Sequence, residues 1–117
     1  MKLKITAIRE AGDLSKERLV MKATAPTDVG EYVLLRTGTT DGKVTTGVLN
    51  TFWFPDKTIN VGDYVVVYSK KGRDSEKEFK EVTSHFFYWG NSEALWNASD
   101  VAAVIMHAPD WESFRRE

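Results

Sequence analysis

Tyr64-Val65-Val66-Val67-Tyr68 decides the fold class. All five residues are β-branched or aromatic, so they suit a strand by shape and are bulky enough to pack on both faces. Tyr32-Val33-Leu34-Leu35 has the same character. Near the start of the chain, Leu3, Ile5 and Ala7 fall on one side of a two-residue period, and Lys2, Lys4 and Thr6 on the other. Further short apolar runs lie at Arg18–Thr24, Glu31–Arg36, Lys43–Leu49, Thr51–Phe54, Phe79–Trp89 and Val101–His107, with glycine or proline between them. No window keeps apolar residues at helical spacing for three turns. Seven or eight short strands at this spacing predict an all-β fold, a β-sandwich or a small barrel.

The turns carry their own chemistry. Asp41-Gly42 and the Asn60-Val61-Gly62-Asp63 corner supply residues that tolerate positive φ where strands reverse. The stretch from Lys70 to Lys77 is too polar for a core strand and is expected to form an exposed hairpin loop. Asn97-Ala98-Ser99 fits a glycosylation acceptor pattern but reads here as a turn.

Composition narrows the function classes. The chain has 117 residues, the length of one domain. Sixteen Lys+Arg against seventeen Asp+Glu give a formal charge of −1, without the basic excess of a dedicated nucleic-acid binder. There is no cysteine, which excludes disulfides, thiol nucleophiles and thiolate metal sites. Charges interrupt every apolar stretch well before the length of a membrane helix, so no membrane span is expected. Met1–Ile8 lacks the apolar core of a secretory signal, and the expected location is cytoplasmic.

The order Glu17-Arg18-Leu19-Val20-Met21-Lys22-Ala23, Gly30-Glu31-Tyr32-Val33-Leu34-Leu35, Phe52-Trp53-Phe54-Pro55, Val61-Gly62-Asp63-Tyr64-Val65-Val66-Val67-Tyr68, Phe87-Tyr88-Trp89-Gly90 and Trp96-Asn97-Ala98-Ser99-Asp100-Val101-Ala102 resembles the lamin-tail domain, in a diverged, stand-alone form of bacterial type. The resemblance runs over residues 15–108. Two positions depart from the family pattern: Asn97-Ala98-Ser99-Asp100 lacks the glycine of the family's turn, and Gly47-Val48-Leu49 stands where the family has Gly-Trp. The resemblance implies an immunoglobulin-like antiparallel β-sandwich, of about seven to nine strands, over residues 1–108. It also implies a noncatalytic interaction or scaffolding module, and it brings no catalytic motif and no cofactor.

Aromatic residues concentrate late in the chain: Phe79, Phe86, Phe87, Tyr88, Trp89 and Trp96 lie within eighteen residues. On one strand Phe87 and Trp89 share a face and Phe86 and Tyr88 share the other. One pair is therefore expected in the core and the second pair, Phe86 and Tyr88, at a binding surface. From Glu81 to Phe114 the sequence has no Lys or Arg but five acidic residues. Aromatic stacking of single-stranded nucleic acid needs cations nearby, so that partner is disfavoured and a protein partner or self-association is expected. The alternative is nucleic-acid binding through Lys70, Lys71 and Arg73 of the Lys70–Lys80 loop together with exposed aromatics.

Catalysis has little support. His85 and His107 are the two histidines, and they lack the spacing of a short-range metal motif. Gly38-x-x-x-Gly42-Lys43 lacks the spacing of a phosphate loop. Residues 109–117 form an aromatic tail. There Asp110 after Pro109 is expected to cap a short helical turn that puts Trp111 and Phe114 on one side, packed on the domain or on a partner.

Overall fold

The computed structural model describes residues 1–116. Its strands, in chain order, are β1 (Leu3–Arg9), β2 (Arg18–Ala23), β3 (Thr27–Asp28), β4 (Tyr32–Thr40), β5 (Lys43–Trp53), β6 (Thr58–Ile59), β7 (Tyr64–Tyr68), β8 (Ser75–Phe79), β9 (Val82–Tyr88) and β10 (Val101–His107). One 3-10 turn, Val29–Glu31, precedes β4, capped by the Asp28 carboxylate accepting from the Gly30 N–H. The chain is all-β as expected. A five-stranded sheet runs β1-β2-β7-β9-β8, a three-stranded sheet β10-β4-β5, and the short pair β3-β6 forms a third.

The two larger sheets pack face to face around one core. Leu3, Leu19, Met21, Val65, Val67 and Phe87 contribute from the five-stranded sheet, Tyr32 and Leu34 from the three-stranded sheet, and Leu95 and Trp96 from the connection into β10. These are the inward positions of each strand, as the two-residue period requires. Phe87 is buried and Trp89 packs against the core, so the core pair of the aromatic strand is the one facing inward. The Asp41-Gly42 turn joins β4 and β5 with φ of 52° and 74°, matching the primed turn that fits the twist of a hairpin.

Several expectations need correction. The sheet is not wholly antiparallel: β7 and β9 run parallel. After β7 the chain crosses outward, lays down β8 at the edge, and returns between β8 and β7, so β9 keeps the direction of β7. The run Phe79–Trp89 is not one strand, because Lys80 and Glu81 take φ of 50° and 67° and reverse the chain. The Lys70–Lys77 stretch is loop only to Asp74, and β8 then continues as an exposed edge strand. Lys43–Leu49 and Thr51–Phe54 merge into β5, whose register against β4 shifts twice to absorb the irregularity. The helical turn after Pro109 does not form, since residues 108–116 carry neither helix nor strand. Trp111 instead sets its ring edge-to-face against Trp53, 4.8 Å between centroids.

Candidate functional site: the outer faces of the two sheets

The buried titratable groups are committed to structure. Glu17 is fully buried at the entrance to β2. Its carboxylate accepts from the N–H groups of Gly12 at 3.0 Å, Leu95 at 2.8 Å and Trp96 at 3.0 Å, and from the Ser69 hydroxyl. Burial alone raises its pKa, but these four donors outweigh burial and hold the carboxyl below the usual glutamate range. Asp63 follows the same rule. Burial is outweighed by the bond from His85 Nε2 at 2.9 Å, by the N–H groups of Thr83 and Asn60, and by the His85 charge, so its pKa is also lowered. His107 lies in the other sheet, stacked on Tyr32 and bonded to Glu31 at 2.9 Å. The histidines therefore do not converge, and among the described residues no group of three or more His, Asp or Glu is arranged to hold a metal ion.

The outward side of the five-stranded sheet is organised in three rows across the strands. By register, the first row is Lys4, Lys22, Tyr64, Ser84 and Lys77. The second is Ala7, Val20, Val66, Phe86 and Ser75, and the third is Arg9, Arg18, Tyr68 and Tyr88. An apolar stripe thus lies between two rows carrying tyrosines and cations. Lys22 Nζ sits 5.7 Å from the centroid of Tyr64, and Lys70 Nζ 5.3 Å from that of Tyr68. No carboxylate occupies an outward strand position here; Glu10, in the turn after β1, approaches Arg18 at 3.4 Å. Tyr88 is stacked on Tyr68 at 5.2 Å, and Gly72 presses on the same residue so closely that a Cβ there would overlap its ring.

The outward side of the three-stranded sheet has the opposite character. Its positions are Val33, Leu35, Thr37 and Thr39 on β4, Ala102, Val104 and Met106 on β10, and Val44, Val48, Thr51 and Trp53 on β5. None is charged. Leu35, Thr37, Val44, Val48, Val104 and Met106 line a shallow groove of about 270 Å³. At one end Trp53 and Trp111 meet over Val33 and Ala108 while remaining 52% and 59% exposed. Trp53 is held by its indole N–H, which donates to the Gly30 carbonyl at 3.2 Å.

The residues singled out from the sequence are thereby divided. Phe86 and Tyr88 share the outward side of the five-stranded sheet, half-buried, with Lys70 beside Tyr68. Lys71 and Arg73 are exposed in the loop before β8. Trp111 belongs to the apolar face of the other sheet, and Phe114 is 92% exposed. Tyr64 and Tyr68 were legible only as strand, yet they present rings outward beside Lys22 and Lys70. The apolar face was also missed. Its signal lies in Tyr32–Leu35 and Val101–Met106, which are apolar at alternate positions on both sides, more than a one-sided strand needs. No protein-family model matches the chain, and no curated protein matches it.

Proposed function

We propose that the protein is a noncatalytic interaction module of immunoglobulin-like type, related to the lamin-tail domain, that docks a protein partner on the outward face of its three-stranded sheet. Strand order supports the fold reading. β1, β2 and β7 take the places of strands A, B and E, and β10, β4 and β5 those of F, C and C′. The β8–β9 hairpin, with its parallel pairing, is an addition to that plan. The observation that carries the function is the absence of any charged side chain at the outward positions of β4, β5 and β10, beside two exposed tryptophans. An uncharged apolar face rimmed by large aromatics is the composition of an interface core.

Because the chain has no cysteine, a single introduced thiol labels one site. Val48→Cys and Lys22→Cys, each carrying a photo-crosslinker, are compared in the cells that make the protein. Discrete protein adducts are expected from position 48 and not from position 22. Equal labelling from both positions, or none from 48, rejects the docking face.

A second reading rests on a different observation. Asp74 and Glu76 line a pocket with Phe86, but the fold also sets Phe86 and Tyr88 on the same face as the cations of β1 and β2, across β7. Lys4 stands directly opposite Lys22, and Arg9 opposite Arg18. Like charges at directly opposed positions are destabilising, and a polyanion laid over the rows relieves them. Single-stranded nucleic acid stacking on the aromatics is the partner that fits. Its binding weakens steeply with salt, and the double variant Lys22→Gln, Arg18→Gln flattens that slope. An oligonucleotide that fails to bind at about 50 mM salt removes this reading.

A further inference from the structure

The two larger sheets present four edges, and three are defended against pairing. β1 carries Lys4 and Arg9 and a register break between Ile5 and Ala7. β8 is Ser-Glu-Lys-Glu-Phe and exposed throughout. β5 has Lys43, Gly47 and two register shifts. Charge, bulges and short length are the devices that keep an edge from adding strands. β10 has none of them: Val-Ala-Ala-Val-Ile-Met-His is uncharged, free of glycine and proline, and pairs with β4 residue by residue without a shift.

The hydrogen bonds flanking β10 fix which of its groups are free. Thr39 N–H donates to the Asp100 carbonyl and Ala108 N–H to the Glu31 carbonyl, so even-numbered residues turn their peptide groups toward β4. By alternation Val101, Ala103, Ile105 and His107 turn theirs to the open edge. Among the described residues no backbone group bonds them there. The tail does not cover this edge, because Trp111 crosses the other way onto Trp53. In an immunoglobulin-like sandwich strand G would occupy the place.

We infer that β10 pairs with β10 of a second copy, antiparallel about a two-fold axis at Val104, joining two three-stranded sheets into one six-stranded sheet. Antiparallel pairing about Val104 sets Val101 opposite His107, Ala102 opposite Met106, and Ala103 opposite Ile105. Each alanine thus meets a large side chain, and all four open-edge residues find partners in both directions. Centring on Ala103 or Ile105 shortens the overlap and leaves edge groups open. No like charges oppose each other, and the apolar outward row Ala102, Val104, Met106 runs on into its symmetry mate. This goes beyond the docking face, since it concerns the strand edge and a copy of the same chain.

Sedimentation of the full chain is expected to give twice the 13.3 kDa monomer mass. Val104→Lys brings two ammonium groups together on the axis and is expected to yield monomer. Val104→Glu alone does the same, and mixing the two variants restores a dimer containing one of each. Ala103→Pro removes an edge-facing N–H without touching the β4 ladder and is likewise expected to be monomeric. Should a variant fail to fold, amide exchange in the unmodified chain decides: the N–H groups of Val101, Ala103, Ile105 and His107 slow as concentration rises. A monomer at the highest soluble concentration overturns the proposal, as does a dimer that survives both the Val104→Lys and Ala103→Pro changes. Protection of these amides only by an extended segment of another protein also overturns it. Adducts from position 48 stand or fall separately.

Discussion

Across the five-stranded sheet the outward rows carry Lys4, Arg9, Arg18, Lys22 and Lys77 among tyrosines and Phe86, while across the three-stranded sheet the equivalent positions carry valine, leucine, methionine, threonine and tryptophan with no charge. Both faces look away from the same core. The first flanks its apolar stripe with tyrosines, two of them under the ammonium groups of Lys22 and Lys70, and stacks Tyr88 on Tyr68. Lys and Arg stems shield apolar surface while their charges stay hydrated. The second carries no charged side chain at its outward strand positions, and Trp111 reaches across one end of it. A face that shields itself is adapted to water or to a charged ligand, and one that does not is adapted to be covered.

The largest expected effect strikes both faces at once. Glu17 joins the turn before β2, Ser69 just after β7, and the Leu95–Trp96 segment, and the Leu95 carbonyl in turn accepts from Arg36 Nε of β4 at 2.6 Å. Glu17→Ala leaves buried donors without an acceptor and is expected to cost at least about 3 kcal/mol in urea unfolding. The charge also sets the acid limb of stability. The folded pKa lies below the unfolded value of about 4.3, so the contribution is full above that value and is lost as pH falls through the folded pKa. Asp63 adds to the same limb. Glu17→Gln should therefore flatten the decline of the urea midpoint below about pH 4. A Glu17→Gln protein as acid-sensitive as the original would show that this carboxylate does not couple the layers.

A smaller effect separates the faces. Tyr68→Ala removes the ring that Tyr88 stacks on and Lys70 caps, and an expected loss of about 1–2 kcal/mol follows from packing and stacking together. Val48→Ser, on the apolar face and half exposed, should stay within about 0.5 kcal/mol of the unmodified protein. The pair of unfolding curves is the measurement. Equal losses would mean that the apolar face is structural after all, and the contrast between the two surfaces would collapse.

Much of the fold was legible because it is written locally. Val101–His107 and Tyr64–Tyr68 emerge from shape and alternation, and Asp41-Gly42 declares its turn. The Lys80–Glu81 reversal was not legible, since neither residue is one that ordinarily marks positive φ. The parallel return of β9 depends on that hidden turn. The charge environment of Phe86 was legible only in part: Asp74, Glu76 and Lys57 line a pocket with it, while across the sheet its neighbours are Val66 and, one strand further, Val20, between Arg18 and Lys22. A run of acids along the chain carries no information about strands more than sixty residues earlier. Glu17 gave no local sign of burial at all, because its donors come from residues 12, 69, 95 and 96.

The smallest effects belong to the tail, and they test how far the apolar face is covered by the chain itself. Trp53 and Trp111 meet edge-to-face with planes at 89°, the arrangement in which a positive ring edge meets a negative face. A double-mutant cycle with Trp53→Ala and Trp111→Ala should give a coupling of about 0.5–1 kcal/mol. Phe114→Ser should change stability by no more than about 0.5 kcal/mol, since its ring is 92% exposed. If instead Phe114→Ser costs as much as Trp111→Ala, the tail lies along the apolar face as its cover and competes with any partner there. A coupling near zero would have the opposite meaning: Trp111 would be free to leave Trp53, and the face would be open from Val33 to Val44.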